Sequence, residues 1–373
     1  MSLDVEPASV ASANLLSHSA LLSHRRIALL SDGYSTPFLA KTAISMLRYR
    51  TSDIAAVIDR KEAGKTAQEL FETGGRVPVV ANIFDSEEVD ANDIDALYIG
   101  IAPPGGKLPS EWQSIIQEAI KRKIDIVSGL HDFLTDDEVY LQLASASGSR
   151  LIDVRRNTFK ETAVRHIFRP GNVRIHAVGN DCSIGKMVAS LEIQMGLVAA
   201  GHDAKFLATG QTGIMISGEG VPIDCVVADF VNGAAEKLVA ENEHHDFLLI
   251  EGQGSISHPA YSAVTLGLLH GCAPDALIFC YEAGRKQVKG FDNIDIPPMK
   301  DQMRACEVLA NLRHPCKIIG IAINSRSLEH DEAMAEVARA EDVYGLPACD
   351  VYRTGAEKLV QASIALRKEL LTK

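Results

Sequence analysis

The segment from Gly179 to Met187, which reads GNDCSIGKM, has the residue types of a phosphate-binding loop. It follows an apolar run and precedes a helical pattern, the context in which such loops occur. Successive backbone N–H groups and the positive end of the next helix bind phosphate oxygens, and a lysine adds a point charge. We therefore predict that nine residues bind a phosphate-bearing cofactor: Gly179, Asn180, Asp181, Cys182, Ser183, Ile184, Gly185, Lys186 and Met187.

The loop departs from the usual pattern in two respects. Five residues separate Gly179 from Gly185, where the pattern has four, and Met187 stands where a hydroxyl residue ordinarily follows the lysine. That hydroxyl ligates the magnesium of bound ATP, and neither Met187 nor Val188 can replace it. We therefore predict phosphate binding without hydrolysis of Mg-ATP. The structural alternative is a glycine-rich strand-to-helix turn with an incidental lysine.

Polar residues also follow two neighbouring apolar runs. Glu251 closes the run 247–250, and residues 209–213, which read TGQTG, close the run before it. Ligands of open parallel sheets bind at the edge where such strands end. We predict two catalytic residues, Glu251 and His258. His258 could instead be a loop histidine bonded to nearby backbone. The predicted substrate-binding residues of this edge are Gln211, Thr212, Gln253 and Tyr261.

Two further strand ends carry candidate ligand-binding side chains. Arg285 follows the run 276–281 and could bind a substrate carboxylate, although clustered basic residues usually form a solvated face. Asn324 ends the run 317–324, where its amide could pair with an adenine of the cofactor or could cap a turn.

Composition and charge exclude several classes of protein. The 373 residues are 46% hydrophobic and 23% charged, which is ordinary for a folded globular chain. The formal net charge of −12 gives little support to nucleic-acid binding. Seven scattered cysteines form no C-x-x-C pair, so we predict neither a disulfide framework nor a structural metal site. No secretion signal or membrane span is evident, and we expect a cytoplasmic protein.

Short apolar runs alternate with longer helical patterns from about residue 26, which is typical of parallel α/β folds. We predict an N-terminal segment at 1–24, a Rossmann-like α/β domain at 25–170 and a P-loop parallel-sheet α/β domain at 171–373. The first domain lacks the G-x-G-x-x-G of dinucleotide sites. The predicted strands cover residues 27–30, 54–58, 96–100, 124–128, 173–178, 204–209, 247–251, 276–281 and 317–324.

The loop spacing and the TGQTG segment resemble the dethiobiotin synthetase branch of P-loop proteins, which contains ATP-dependent ligases. Nearly the whole chain is also similar to a bacterial family long catalogued as a domain of unknown function, whose members include a D-glutamate N-acetyltransferase. Asn180 stands where that family usually carries threonine. The matching segments are residues 41–43, 101–106, 128–131, 153–155, 179–187 and 251–262.

The resemblance implies transfer of an acetyl group from acetyl-CoA to the amine of D-glutamate or a related acidic amino acid. The phosphates of coenzyme A need an anion cradle but no hydrolytic magnesium, which suits the altered loop. Glu251 or His258 would deprotonate the amine. Substrate carboxylates would be bound by Arg285 together with His131 or Arg155 of the first domain. We expect a homo-oligomer that acts on a small molecule.

Two other functions are compatible with the same residues. An ATP-dependent ligase would require Asp181 and Glu251 to hold magnesium in place of the missing hydroxyl. A nucleotide-binding sensor would use the loop without chemistry, closing its domains on the ligand.

Overall fold

The computed structural model describes residues 19–372 and contains two compact units. Unit 1 extends to Asn157 and includes Ile214–Pro222, and unit 2 comprises Thr158–Gly213 and the chain from Ile223 onward. Of the predicted N-terminal segment 1–24, residues 1–18 lie outside the described residues, and Ser19–Ser23 forms a short helix. No helix between residues 19 and 372 combines the length and the apolar character that crossing a bilayer requires.

Unit 1 is a six-stranded, wholly parallel sheet with the strand order β3-β2-β1-β4-β5-β6. This is the order of a Rossmann fold, as predicted. Strands β1, β2 and β4 are fully buried apolar runs, because a parallel sheet is covered on both faces. The strands are β1 Ile27–Leu30, β2 Ile54–Ile58, β3 Val79–Val80, β4 Ala96–Ile99, β5 Asp125–Ser128 and β6 Leu151–Asp153. The helices are α1 Ser19–Ser23, α2 Lys41–Tyr49, α3 Ala67–Phe71, α4 Gln113–Lys121 and α5 Glu138–Ser147.

An acidic residue accepts hydrogen bonds from the loop that follows β1 in unit 1. The buried Asp59 follows β2 and accepts hydrogen bonds from the Gly33 N–H at 3.1 Å and the Ser35 hydroxyl at 2.5 Å. It also accepts from the Lys61 N–H at 2.9 Å. Its oxygens therefore stabilise the loop after β1, in the position where a dinucleotide fold places its ribose-binding acid.

Unit 2 is a second six-stranded parallel sheet, with the order β12-β11-β10-β7-β9-β8. Ile175 and Ala177 of β7 pack on one face against α6 and α12, and Val178 packs on the other face against α9 and α10. The strands are β7 Val173–Gly179, β8 Ala204–Leu207, β9 Phe247–Ile250, β10 Ala276–Glu282, β11 Lys317–Asn324 and β12 Ala348–Cys349. The remaining helices are α6 Lys186–Ala199, α7 Gln211–Ser217, α8 Val231–Ala240, α9 Ser262–Cys272, α10 Met299–Asn311, α11 His330–Tyr344 and α12 Glu357–Leu371.

Candidate active site

The loop after β7 turns the chain directly into α6. Gly179 packs so closely on β10 that a β-carbon there would lie 2.4 Å from the Cys280 carbonyl oxygen. Ser183 and Gly185 have left-handed backbone, with φ of 53° and 102°. Gly185, the N-cap residue of α6, has no side chain with which to cap the first turn. The N–H groups and positive end of the helix are therefore available to an anion, as the sequence predicts for this loop.

Lys186 begins α6 and is buried. Its ammonium donates to the Asp181 carbonyl oxygen at 2.6 Å, and among residues 19–372 it forms no ion pair. Burial lowers the pKa of Lys186, while the neighbouring Cys182, Cys280 and Asp181 oppose that shift. A buried cation bonded to a neutral carbonyl gains from any anion that enters the loop.

Asp181 and Arg285 hold the loop in shape. The Asp181 carboxylate is fully buried and accepts from Arg285 Nη1 at 2.7 Å, from the Lys289 N–H at 2.9 Å and from the Cys182 N–H at 2.7 Å. Arg285 also pairs with Glu282 at 2.5 Å and donates to the Cys182 carbonyl at 2.8 Å. The guanidinium that the sequence assigned to a substrate carboxylate thus binds two carboxylates of the protein itself.

Glu251 follows β9 and is almost fully buried. Its Oε2 accepts the backbone N–H groups of Thr209 at 2.8 Å and Gly210 at 3.1 Å, and its Oε1 accepts Gln253 Nε2 at 3.1 Å. Burial raises the pKa of Glu251 to about 7, against the lowering effect of the two backbone hydrogen bonds and of Lys186. A carboxyl with this pKa can accept and release a proton near neutral pH.

Glycines make room for this carboxylate. A β-carbon at Gly213 would lie 2.5 Å from Glu251 Oε2, and one at Gly210 would lie 2.4 Å from Gln253 Nε2. At Gly252 it would lie 1.7 Å from the Ala177 carbonyl and 2.9 Å from Lys186 Cδ. The close packing of residues 251–252 on β7 therefore brings the Glu251 segment against the lysine of the loop.

His258 is buried beside the same loop. Its Nδ1 accepts the Ala260 N–H at 3.1 Å, which places the proton of a neutral ring on Nε2. Nε2 lies 3.3 Å from the Lys289 carbonyl and 3.8 Å from Asp181 Oδ1. Both ring nitrogens thus have partners in the protein, which is the alternative considered from the sequence.

Asp181, Cys182 and His258 also offer one potential metal-ligand atom each, all within 4.8 Å of one another. Metal binding at Nε2 of His258 would need the other tautomer and would break the hydrogen bond to Ala260. The tautomer therefore disfavours a metal at this cluster.

The other predicted site residues lie at strand ends of the two units. In unit 2, Gln211 and Thr212 begin α7, Gln253 binds Glu251, and Tyr261 is half-exposed beside His258 with ring centroids 4.7 Å apart. Asn324 ends β11, where its Oδ1 accepts the Arg326 N–H at 3.3 Å, the turn-capping alternative. In unit 1, the exposed His131 follows β5, and the buried Arg155 donates to the Gly129 carbonyl at 2.6 Å.

Three residues of the site were not predicted from the sequence as ligands of Glu251 or Arg285. Thr209 and Gly210 supply the N–H groups to Glu251, and Glu282 shares Arg285 with Asp181. The TGQTG segment was a visible signal for the first two. No local pattern distinguishes Glu282 from other acids at strand ends.

Two parts of the chain match two family models. Residues 165–360 match a domain of unknown function, the DUF1611_C P-loop domain, and residues 60–157 match the DUF1611_N Rossmann-like domain.

Two relatives and a solved structure are similar to 70% or more of the chain. A D-glutamate N-acetyltransferase of Tritonibacter scottomollicae is 41% identical over 281 residues, covering 75% of this chain and 84% of the relative. Another of that name, from Pseudoalteromonas sp., is 39% identical over 263 residues, covering 70% and 79%. The crystal structure of a DUF1611 family protein from Anabaena variabilis ATCC 29413 is 34% identical, with a TM-score of 0.85 over 91% of this chain and 99% of that one. The chain therefore belongs to the DUF1611 family, with a Rossmann-like N-terminal domain and a P-loop C-terminal domain.

Proposed function

We propose that the protein transfers an acetyl group from acetyl-CoA to the amine of D-glutamate, with Glu251 as the general base. The observation that carries the proposal is a buried carboxyl with a pKa of about 7, followed in the chain by Gly252, which packs close to the lysine of an anion-binding loop. The names of two relatives, at 41% and 39% identity, support the same reaction. Of the two predicted catalytic residues, the proposal takes Glu251, because burial raises its pKa to about 7.

The chemistry requires a base at this place. An ammonium group has no lone pair, so the amine must lose a proton before its nitrogen attacks the thioester carbonyl. A C–N bond then forms, and the nitrogen, which becomes positively charged on attack, releases a second proton to solvent. The C–S bond breaks, and coenzyme A leaves as a thiol that takes up the first proton. Glu251, with a pKa near neutral, can take that proton from the amine and return it to the leaving thiolate.

An anionic group of a substrate needs hydrogen-bond donors fixed in advance. The N–H groups at the start of α6 are donors of this kind, and so is the buried ammonium of Lys186. Because these groups are held by β7 and by the Asp181–Arg285 ion pair, they need no rearrangement during the reaction.

The experiment measures products directly. Purified protein is incubated with acetyl-CoA and a panel of D- and L-amino acids, and free thiol and N-acetyl product are quantified. We expect the wild type to form thiol and N-acetylglutamate in equal amounts with D-glutamate. The Glu251→Gln variant should form both products at a rate lower by roughly 100-fold or more.

The other two functions give different products. Incubation with ATP, magnesium and the same amino acids would release ADP from a ligase, and ADP release without thiol release would refute acetyl transfer. Ligand binding with neither product would favour the nucleotide-binding sensor.

A further inference from the structure

We propose that the anion site formed by the loop 179–187 binds a carboxylate of the acceptor amino acid, and that the phosphates of acetyl-CoA bind elsewhere. The inference rests on the proposed function and assigns one substrate to a site that the sequence assigns to the phosphates. Helix N-termini bind carboxylates by the same groups that bind phosphates, so the loop alone does not distinguish the two ligands. The residues in and around the loop favour a carboxylate.

The segment that carries the base packs beside the anion site. Lys186 follows β7 and Glu251 follows β9, and these strands are adjacent, with His176 paired to Ile250. A β-carbon at Gly252 would lie 2.9 Å from Lys186 Cδ. A molecule anchored on Lys186 therefore presents to Glu251 the groups that lie next to its anion.

The two substrates differ in what lies next to the anion. In an α-amino acid the amine and the carboxylate are attached to the same carbon atom. In acetyl-CoA the phosphates and the thioester stand at opposite ends of the pantetheine arm. A carboxylate in the loop therefore places the reacting amine near Glu251, whereas a phosphate in the loop would place the base at the wrong end of the donor.

The charges around the loop also favour a carboxylate. Arg285 is paired with Asp181 at 2.7 Å and with Glu282 at 2.5 Å, so its charge is compensated inside the protein. Lys186 is the buried cation of the loop that forms no ion pair among residues 19–372. One uncompensated cation matches one carboxylate, and the nearby Asp181 and Glu251 oppose the several negative charges of a coenzyme A phosphate group.

The loop also contains a hydrogen-bond acceptor that a ligand could use. Asn180 is buried in the loop, and its Oδ1 has no hydrogen-bond partner within the described part of the chain. A buried acceptor without a partner is costly unless a ligand supplies a donor. An amino acid carries N–H donors beside its carboxylate, whereas an ionised phosphate carries none. The donors of the loop together with Asn180 therefore suit an amino acid.

The test compares two acetyl donors in steady-state kinetics. Acetyl-CoA and S-acetylpantetheine share the thioester, but the second has no phosphate. We expect Lys186→Met to raise the KM for D-glutamate by roughly tenfold or more, and by the same factor with either donor, because no phosphate contacts the loop. The KM for acetyl-CoA should change by less than roughly threefold. Lys286→Met, which removes an exposed lysine of the same region, is the matched control and should change neither value.

The opposite result is equally clear. If Lys186→Met raises the KM for acetyl-CoA and leaves the reaction with S-acetylpantetheine unaffected, the loop binds phosphate and the inference is wrong. Calorimetric titration of D-glutamate and of coenzyme A into each variant tests binding apart from turnover. Loss of D-glutamate binding with coenzyme A binding retained supports the inference even if the wild type releases no thiol, a result that would overturn the proposed function alone.

A second variant covers a Lys186→Met protein that does not fold, as judged by circular dichroism. Asn180→Ala should weaken D-glutamate binding and leave the binding of glutarate, which has no amine, unchanged. Equal weakening of both would contradict the role of Asn180 as acceptor for the amine.

Discussion

The carboxylate of Glu251 accepts the backbone N–H of Thr209 at 2.8 Å, and this bond ties a buried acid to the end of the neighbouring strand. The contact depends on the register of β8 and β9, in which Leu207 pairs with Ile250. Burial raises the pKa of this carboxyl even though two N–H groups stabilise its ionised form. Because this carboxyl is both buried and hydrogen-bonded, substitutions at and around Glu251 should change activity and stability in specific ways.

Replacing Glu251 with glutamine should abolish the proton transfer while keeping the shape of the site. A glutamine can still accept the Thr209 and Gly210 N–H groups through its oxygen. We expect kcat for acetyl transfer to fall by roughly 100-fold or more, with the KM for D-glutamate changed little. A kcat within roughly threefold of the wild type would show that Glu251 is not the base.

The same substitution should stabilise the fold at alkaline pH. The Glu251 pKa is raised from 4.5 to about 7, so the folded state binds more protons than the unfolded state between these values. The contribution of this carboxyl to stability is present below pH 4.5 and lost as pH rises through about 7. Glutamine does not ionise, and Glu251→Gln should be more stable than the wild type at pH 8 by up to about 3 kcal/mol. Chemical denaturation at pH 5 and pH 8 measures the difference, which should be small at pH 5.

The pH dependence of turnover should report the same group. A general base acts when deprotonated, so kcat/KM should be level above pH of about 7 and fall below it with unit slope. The acidic limb should disappear from the residual activity of Glu251→Gln. An identical limb in both proteins would assign it to another group.

Gly213 should be intolerant of any side chain, because its β-carbon would lie 2.5 Å from Glu251 Oε2. We expect Gly213→Ala to lower kcat by roughly 10- to 100-fold through displacement of the carboxylate. The control is Gly196→Ala on α6. A β-carbon at Gly196 would lie 2.6 Å from the Val360 side chain of α12. That variant should alter the melting temperature without altering kcat. In the Glu251→Gln background, Gly213→Ala should have almost no further effect on kcat, since both changes act on one group.

The long apolar strands could be predicted from sequence because burial on both faces of a parallel sheet produces uninterrupted apolar runs. Ile54–Ile58 and Lys317–Asn324 have the predicted bounds. The short strands Val79–Val80, Leu151–Asp153 and Ala348–Cys349 were not predicted, since two or three residues carry no periodicity. They form by pairing with the exposed edges of longer strands.

The site could be predicted in its location but not in its contacts. Glycines, Lys186 and Glu251 mark one edge of the sheet because parallel strands end there together. The partner of Arg285 could not be predicted in this way, because Asp181 lies 104 residues away in the chain and meets it only through the pairing of β7 and β10. The TGQTG segment was predicted to lie at the site, but it binds Glu251 through backbone N–H groups. Side-chain types do not predict a backbone contact of this kind.

His258 should matter for position and not for proton transfer. In His258→Asn the amide oxygen can replace Nδ1 as acceptor of the Ala260 N–H. We expect kcat to fall by less than roughly tenfold and the acidic limb of the pH profile to remain near pH 7. A loss as large as that of Glu251→Gln, together with a shifted limb, would identify His258 as the base.

The Asp181–Arg285 ion pair should show strong coupling in a double-mutant cycle. Arg285→Met leaves the Asp181 carboxylate, which is fully buried, without its cation, and such a loss costs about 3 kcal/mol or more. Asp181→Asn is milder, because Arg285 keeps Glu282 at 2.5 Å. The double variant Asp181→Asn/Arg285→Met removes both charges and should unfold at a higher temperature than Arg285→Met alone. Thermal unfolding of the four proteins measures the coupling. If the double variant loses the sum of the two single losses, the pair does not hold the loop, and the preorganised donors of α6 must depend on β7 alone.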